Sequence, residues 1–132
     1  MALRDTLCER TQPLLEAGEE IRQIMMVHSG GSPYLGVISG AVVLVAGSYH
    51  IIAVTDRSVV VLDAHRLART RPRALVRRLP RETRLGPVSG IWSKVQLDRQ
   101  YYVHRRFHKE LNAADAELEA RTAGAVLAPV AV

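Results

Sequence analysis

Eight arginines, Arg66, Arg69, Arg71, Arg73, Arg77, Arg78, Arg81 and Arg84, fall within nineteen residues opposed only by Glu82, a local net charge of +7. A guanidinium presents a planar fork of parallel N–H donors that matches phosphate and carboxylate oxygens. Gathered on one face, these side chains would form an anion- or lipid-binding surface, worth about 1 kcal/mol per basic residue beside an anionic membrane. The competing reading is a set of solvated loop and edge-strand charges that discourage edge-to-edge pairing of sheets. Nucleic acid would use the same arginines through counterion release. The block holds no aromatic side chain for bases to stack on, and no helix-turn-helix, zinc-finger or RNP-type pattern accompanies it.

The second feature is an absence of charge. Residues 33–48 carry no Asp, Glu, Lys or Arg, and Tyr34, Leu35, Val37, Ile38, Val42, Val43, Leu44 and Val45 make the run apolar. Extended to Val54 it reaches 22 residues, enough on paper to cross a bilayer. Glycine and serine interruptions and the strand-like Ile51-Ile52-Ala53-Val54 argue against a span, which would also strand residues 21–28 across the membrane from their sheet. An apolar interaction segment is expected instead: folded over the sheet, buried in a dimer interface, or dipping into a bilayer.

Nothing else in the chain spells out a reaction. His28, His50, His65, His104 and His108 include no HExxH pair, and His104 and His108 straddle an expected strand-to-helix junction. There is no G-x-S-x-G elbow, and Gly30-Gly31-Ser32 lacks the lysine of a phosphate loop. Cys8 is the only cysteine, which excludes an intrachain disulfide or a cysteine-based zinc site. No catalytic residue, metal or cofactor is therefore expected.

These residues need a scaffold, and 132 residues with 48% apolar content suffice for one domain. The net charge of +5 is uneven: residues 1–56 sum to −3, residues 57–109 to +11 and residues 110–132 to −3. The acid-rich ends could neutralise the basic middle within the molecule. The N-terminus has no secretory h-region, so cytoplasmic residence is expected, with peripheral attachment at the inner membrane face as one mode.

Leu3, Leu7, Leu14 and Leu15 predict a short amphipathic helix that kinks or ends at Pro13, within an N-terminal unit 1–18. Strands are expected at 21–28, 49–55, 58–63, 74–79, 84–85, 91–97 and 101–106, the second and third joined by a tight Thr55-Asp56-Arg57-Ser58 turn. Phe107, Leu111, Ala114 and Leu118 then mark the dry face of a C-terminal helix, which Gly124 and Pro129 should end. Residues 122–132 are expected to form a disordered tail. The fold class is mainly β (α+β): a bent antiparallel sheet or partly open barrel of about seven strands, capped by the C-terminal helix, with a short N-terminal helix.

The run from Ile51 to Asp63, with its Thr-Asp-Arg turn between two apolar strands, resembles the second and third strands of bacterial pleckstrin-homology-like domains. The 92–106 hairpin running into the 107–118 helix is similar to that family's end. The likeness covers residues 19–121, about three quarters of the chain, and implies a binding scaffold. Two departures stand out. Residues 29–48 lack the basic residues of phosphoinositide-binding members, and the only tryptophan, Trp92, is on a strand rather than the last helix. The expectation is thus a non-enzymatic binding or adaptor module. It would meet a protein partner or an anionic membrane through residues 33–48 and 66–84, with a homo-oligomer also open; a small nucleic-acid-binding protein using the same arginines is the alternative.

Overall fold

Two β-branched runs form the centre of a six-stranded antiparallel sheet. In the computed structural model, which describes residues 3–29, 48–64, 71–88, 90–97 and 100–127, the strands are β1 (Ile21–Ser29), β2 (Ser48–Thr55), β3 (Ser58–Ala64), β4 (Pro72–Pro80), β5 (Trp92–Gln96) and β6 (Gln100–His104). They lie in the order β4-β3-β2-β1-β6-β5. Helix α1 (Leu3–Thr11) precedes them and runs into a 3₁₀ turn at Gln12–Leu14 that holds Pro13; α2 (His108–Leu127) follows them. Residues 30–47, with the apolar candidates Tyr34 to Val45, lie outside the described residues. So do His65, Arg66, Arg69 and residues 128–132.

The central strands are apolar at consecutive positions because both faces of the sheet are covered. Ile52 stands opposite Met25 on one side and Val61 on the other; Ala53 stands opposite Ile24 and Val60. Met25, Val27, Ile52, Val54, Val59 and Val61 pack with Val95, Tyr101 and Val103, and with Phe107, Leu111 and Ala114 from the C-terminal segment. The alternate residues, Ile24, Ile51, Ala53, Val60 and Leu62, pack with Leu7 of α1. Each fully buried aliphatic side chain contributes about 1.5–3 kcal/mol, so two helices of modest length suffice to hold the sheet.

Two expectations need correction. The sheet has six strands, because Arg84 and Leu85 do not pair: the backbone N–H groups of Leu85 and Gly86 donate to the two carboxylate oxygens of Asp115, at 2.9 and 2.8 Å. Gly86 is required by that approach, since a Cβ there would lie 2.9 Å from Asp115 Oδ2 and 3.1 Å from Leu111 Cδ2. The sheet is not closed, which the expected bent sheet or partly open barrel allows, and among the described residues β4 and β5 each have one strand neighbour. Finally, α2 continues through Gly124 to Leu127 rather than stopping there. One glycine costs a helix only about 1 kcal/mol, and Ala125, Val126 and Leu127 extend the run before Pro129.

Candidate functional site

Consecutive residues on a strand point to opposite faces, and this divides the arginine block. Arg77 stands opposite Val61 and Arg78 opposite Val60, and those two valines belong to the two different cores. Arg78 turns toward the chain segment between α1 and β1 and grips Glu19 with both ends of its fork: Nη1 donates to Oε2 at 2.6 Å and Nη2 to Oε1 at 3.0 Å. The Glu19 side chain is fully buried. It also accepts from Thr55 Oγ1 at 2.6 Å, Ser58 Oγ at 3.1 Å and the backbone N–H of Glu16 at 3.1 Å. Burial pushes the Glu19 carboxyl upward, but the hydrogen bonds from Arg78, Thr55, Glu16 and Ser58 outweigh it and hold the pKa at about 2. The same bond raises the pKa of Arg78.

Thr55 has a second task in this cluster. Its Oγ1 accepts from the N–H groups of Arg57 and Ser58, at 3.1 and 3.0 Å, which tightens the β2–β3 turn. Asp56 Oδ1 accepts from the N–H of Glu20. The Thr-Asp-Arg-Ser turn therefore docks onto the entry to β1 instead of facing a ligand.

Two more arginines are engaged inside the molecule. Arg81 is buried, its Nη2 donating to the Ala114 carbonyl of α2 at 3.0 Å, and burial lowers its pKa. Arg84 pairs with Glu119 of α2 at 2.6 Å, both side chains lying at the surface. Three of the block's arginines, Arg78, Arg81 and Arg84, thus meet acids or carbonyls of this chain. Arg71, Arg73 and Arg77 remain exposed on and before β4.

Strand β4 is the least covered part of the sheet. It is bonded to β3 on one side, and every residue from Arg73 to Arg77 is exposed, including Leu75 at 39% and Val76 at 43%. Pro72 and Pro80 bound it. No acidic side chain occurs between them.

A serine, a histidine and an aspartate also line up across β1, β2 and β3. Ser29 Oγ lies 3.2 Å from His50 Nδ1, and His50 Nε2 lies 3.8 Å from Asp63 Oδ1. The order resembles a hydrolytic triad, but its accessibility is reversed. A nucleophile must meet substrate while the aspartate is shielded; here Ser29 is 1% exposed and the Asp63 side chain 40%. The 3.8 Å separation is also too long for a hydrogen bond. His50 packs edge-on against Tyr101, with ring centroids 5.3 Å apart, so this row reads as a polar seam within the sheet.

Among the described residues, no group of three or more His, Cys, Asp or Glu side chains could hold a metal ion. Nor, among them, is any helix long and apolar enough to cross a membrane. Glu19 and Asp115, the acids that organise this architecture, carried no motif; their roles rest on partners far away in the chain. No family model matches the chain, and no curated protein or solved structure matches it.

Proposed function

We propose that the protein is a non-catalytic binding module that takes an extended, acidic segment of a partner protein along the outer edge of β4. The observation that carries this reading is the exposure of residues 73–77 on a strand with one strand neighbour among the described residues. The outer edge of such a strand presents unpaired main-chain donors and acceptors, to which another strand can add. Leu75 and Val76 supply apolar contact, and Arg71, Arg73 and Arg77 supply charge of one sign. Acidic side chains on the added strand would sit beside these arginines, as opposite charges do across a ladder. Because proline has no N–H, Pro72 and Pro80 confine the new ladder to the residues between them.

The resemblance to bacterial pleckstrin-homology-like domains points toward the same class of function, a scaffold presenting a surface. The intramolecular partners of Arg78, Arg81 and Arg84 weigh against a lipid or nucleic-acid surface built from the whole arginine block.

The test is a titration with a nine-residue peptide of alternating Glu and Val, followed by backbone amide shifts. Shifts clustered on residues 73–79, and their loss in Arg73→Glu/Arg77→Glu, are expected. A peptide in which Lys replaces Glu should not bind. Sedimentation with vesicles containing anionic lipid, and retention on a DNA column, form the parallel arms. Binding there without peptide binding would transfer the function to a membrane or nucleic acid; no response in any arm rejects the edge as a recognition surface.

A further inference from the structure

A separate concavity lies toward the other side of the sheet, where β1, β2, β5 and β6 meet. On β1 the period of two places His28 on the same face as Ile24, and on β2 it places Tyr49 with Ile51. The register sets His28 beside Tyr49 and Tyr102, and Trp92 beside His104. Helix α1 occupies this face over Ile24, Ile51 and Ala53. Further along the same strands the structure holds a cavity of about 260 Å³ instead, lined by His28, Tyr49, Trp92 and His104 together with Arg106 and Phe107 from the turn after β6.

The walls combine aromatic surface with the guanidinium of Arg106. His28 and Tyr49 meet edge to face with centroids 5.2 Å apart, and Trp92 and His104 at 5.0 Å. The guanidinium carbon of Arg106 sits 5.3 Å from the centre of the Phe107 ring. Among the described residues no carboxylate pairs with that guanidinium, and no acid lines the cavity. His104 Nδ1 accepts from the backbone N–H of Arg106 at 3.2 Å, so Nε2 carries the ring proton and serves as a donor. Burial lowers the pKa of His104 and the neighbouring Arg105, Arg106 and His108 lower it further, which marks the surroundings as electropositive. A planar apolar body fits the aromatic walls, and an anionic head fits Arg106 and His104. The volume is below the roughly 300–1,000 Å³ of sites for drug-sized ligands, which favours a ligand of one or two rings.

We infer that this cavity binds a small aromatic carboxylate, with its ring against Trp92 and Tyr49 and its carboxylate held by Arg106. A free acid and the C-terminal aromatic residue of a peptide share this chemistry. Trp92 is the only tryptophan in the chain, so its fluorescence reports directly on the site.

The experiment titrates the protein with 3-phenylpropionate and with acetyl-Gly-Gly-Phe, and with the amide of each as a control. A saturable change in Trp92 emission is expected from at least one acid, with its amide bound tenfold or more weakly. In Arg106→Gln the acid should weaken to the level of its amide, while Arg106→Lys should retain an intermediate affinity. Response to the first acid alone assigns a free metabolite, response to the peptide alone a chain terminus, and response to both supports the shared chemistry. The inference is overturned if neither acid saturates, if acid and amide bind equally, or if Arg106→Gln binds the acid as tightly as the wild type. None of these readings involves β4, so the inference and the edge-strand proposal stand or fall separately.

Discussion

Arg77 and Arg78 are adjacent on one strand, and they have opposite fates. Arg78 reaches an enclosed cluster in which Glu19 accepts from four neighbours and is ionised far below the ordinary carboxylate range. Arg77 projects from the other face of β4, beside the exposed Val76. The pleat determines the direction, and the acid waiting on one side determines the consequence. Charge that is buried and paired is costly to disturb, because the surviving partner is left without water or counter-charge. Exposed charge stays in contact with water, so the contacts it makes add little to stability. A basic stretch can therefore hold both a structural clamp and exposed charge, one residue apart.

The sharpest test removes the acid. Glu19→Gln leaves the partly buried Arg78 guanidinium to the Glu16 carboxylate, 3.9 Å from its Nε, and should lower unfolding free energy by about 3 kcal/mol. Arg73→Gln at the open edge should change it by no more than about 0.5 kcal/mol. Urea unfolding measures both, and equal losses would erase the distinction between clamp and edge.

Acid should dissolve the clamp while leaving the edge arginines charged. Glu19 has a folded pKa of about 2 against an ordinary 4.5. A depressed folded value means that the stabilisation, about 3 kcal/mol, is present above the unfolded pKa and lost as pH falls from there through the folded value. The stability gap between wild type and Glu19→Gln should accordingly narrow as the solution is taken from pH about 5 toward pH about 2. A constant gap would mean that Glu19 is not the titrating group.

Asp115 extends the comparison to an acid that serves the backbone. Asp115→Ala deprives the Leu85 and Gly86 N–H groups of their acceptors, at a cost of about 1–3 kcal/mol. Amide exchange at these two positions should quicken more than elsewhere in the sheet. Arg84→Ala, which breaks the surface pair with Glu119, should leave the melting midpoint within the scatter of repeats. A clear drop there would place Arg84 with the clamp residues instead of the solvated ones.

Some of the architecture is written in short range. The Thr55-Asp56-Arg57-Ser58 turn, the β5–β6 hairpin, the break at Pro13 and the dry face of Leu111, Ala114 and Leu118 were legible because each depends on residues a few positions apart. Two local signals misled. Arg84-Leu85 resembles strand, yet the Leu85 N–H goes to Asp115, thirty residues onward in the chain. Gly124 resembles a helix stop, but one glycine costs less than the surrounding helix-forming residues can carry. The arginine block was visible as composition, whereas its division was not. Neither was the cavity, for Tyr49, Trp92 and Arg106 come together only through the pairing of four strands.

By itself the sequence determined the alternation of the strands, the positions of the tight turns and the concentration of positive charge in the middle of the chain. These follow from steric preference and periodicity, which act over a few residues. Which arginines would be consumed was decided by tertiary structure alone, because Glu19 meets Arg78 across 59 positions and Arg81 meets the Ala114 carbonyl across 33. The energy of an ion pair depends on distance and burial, and neither exists for such a pair until the sheet and its two helices have closed around it.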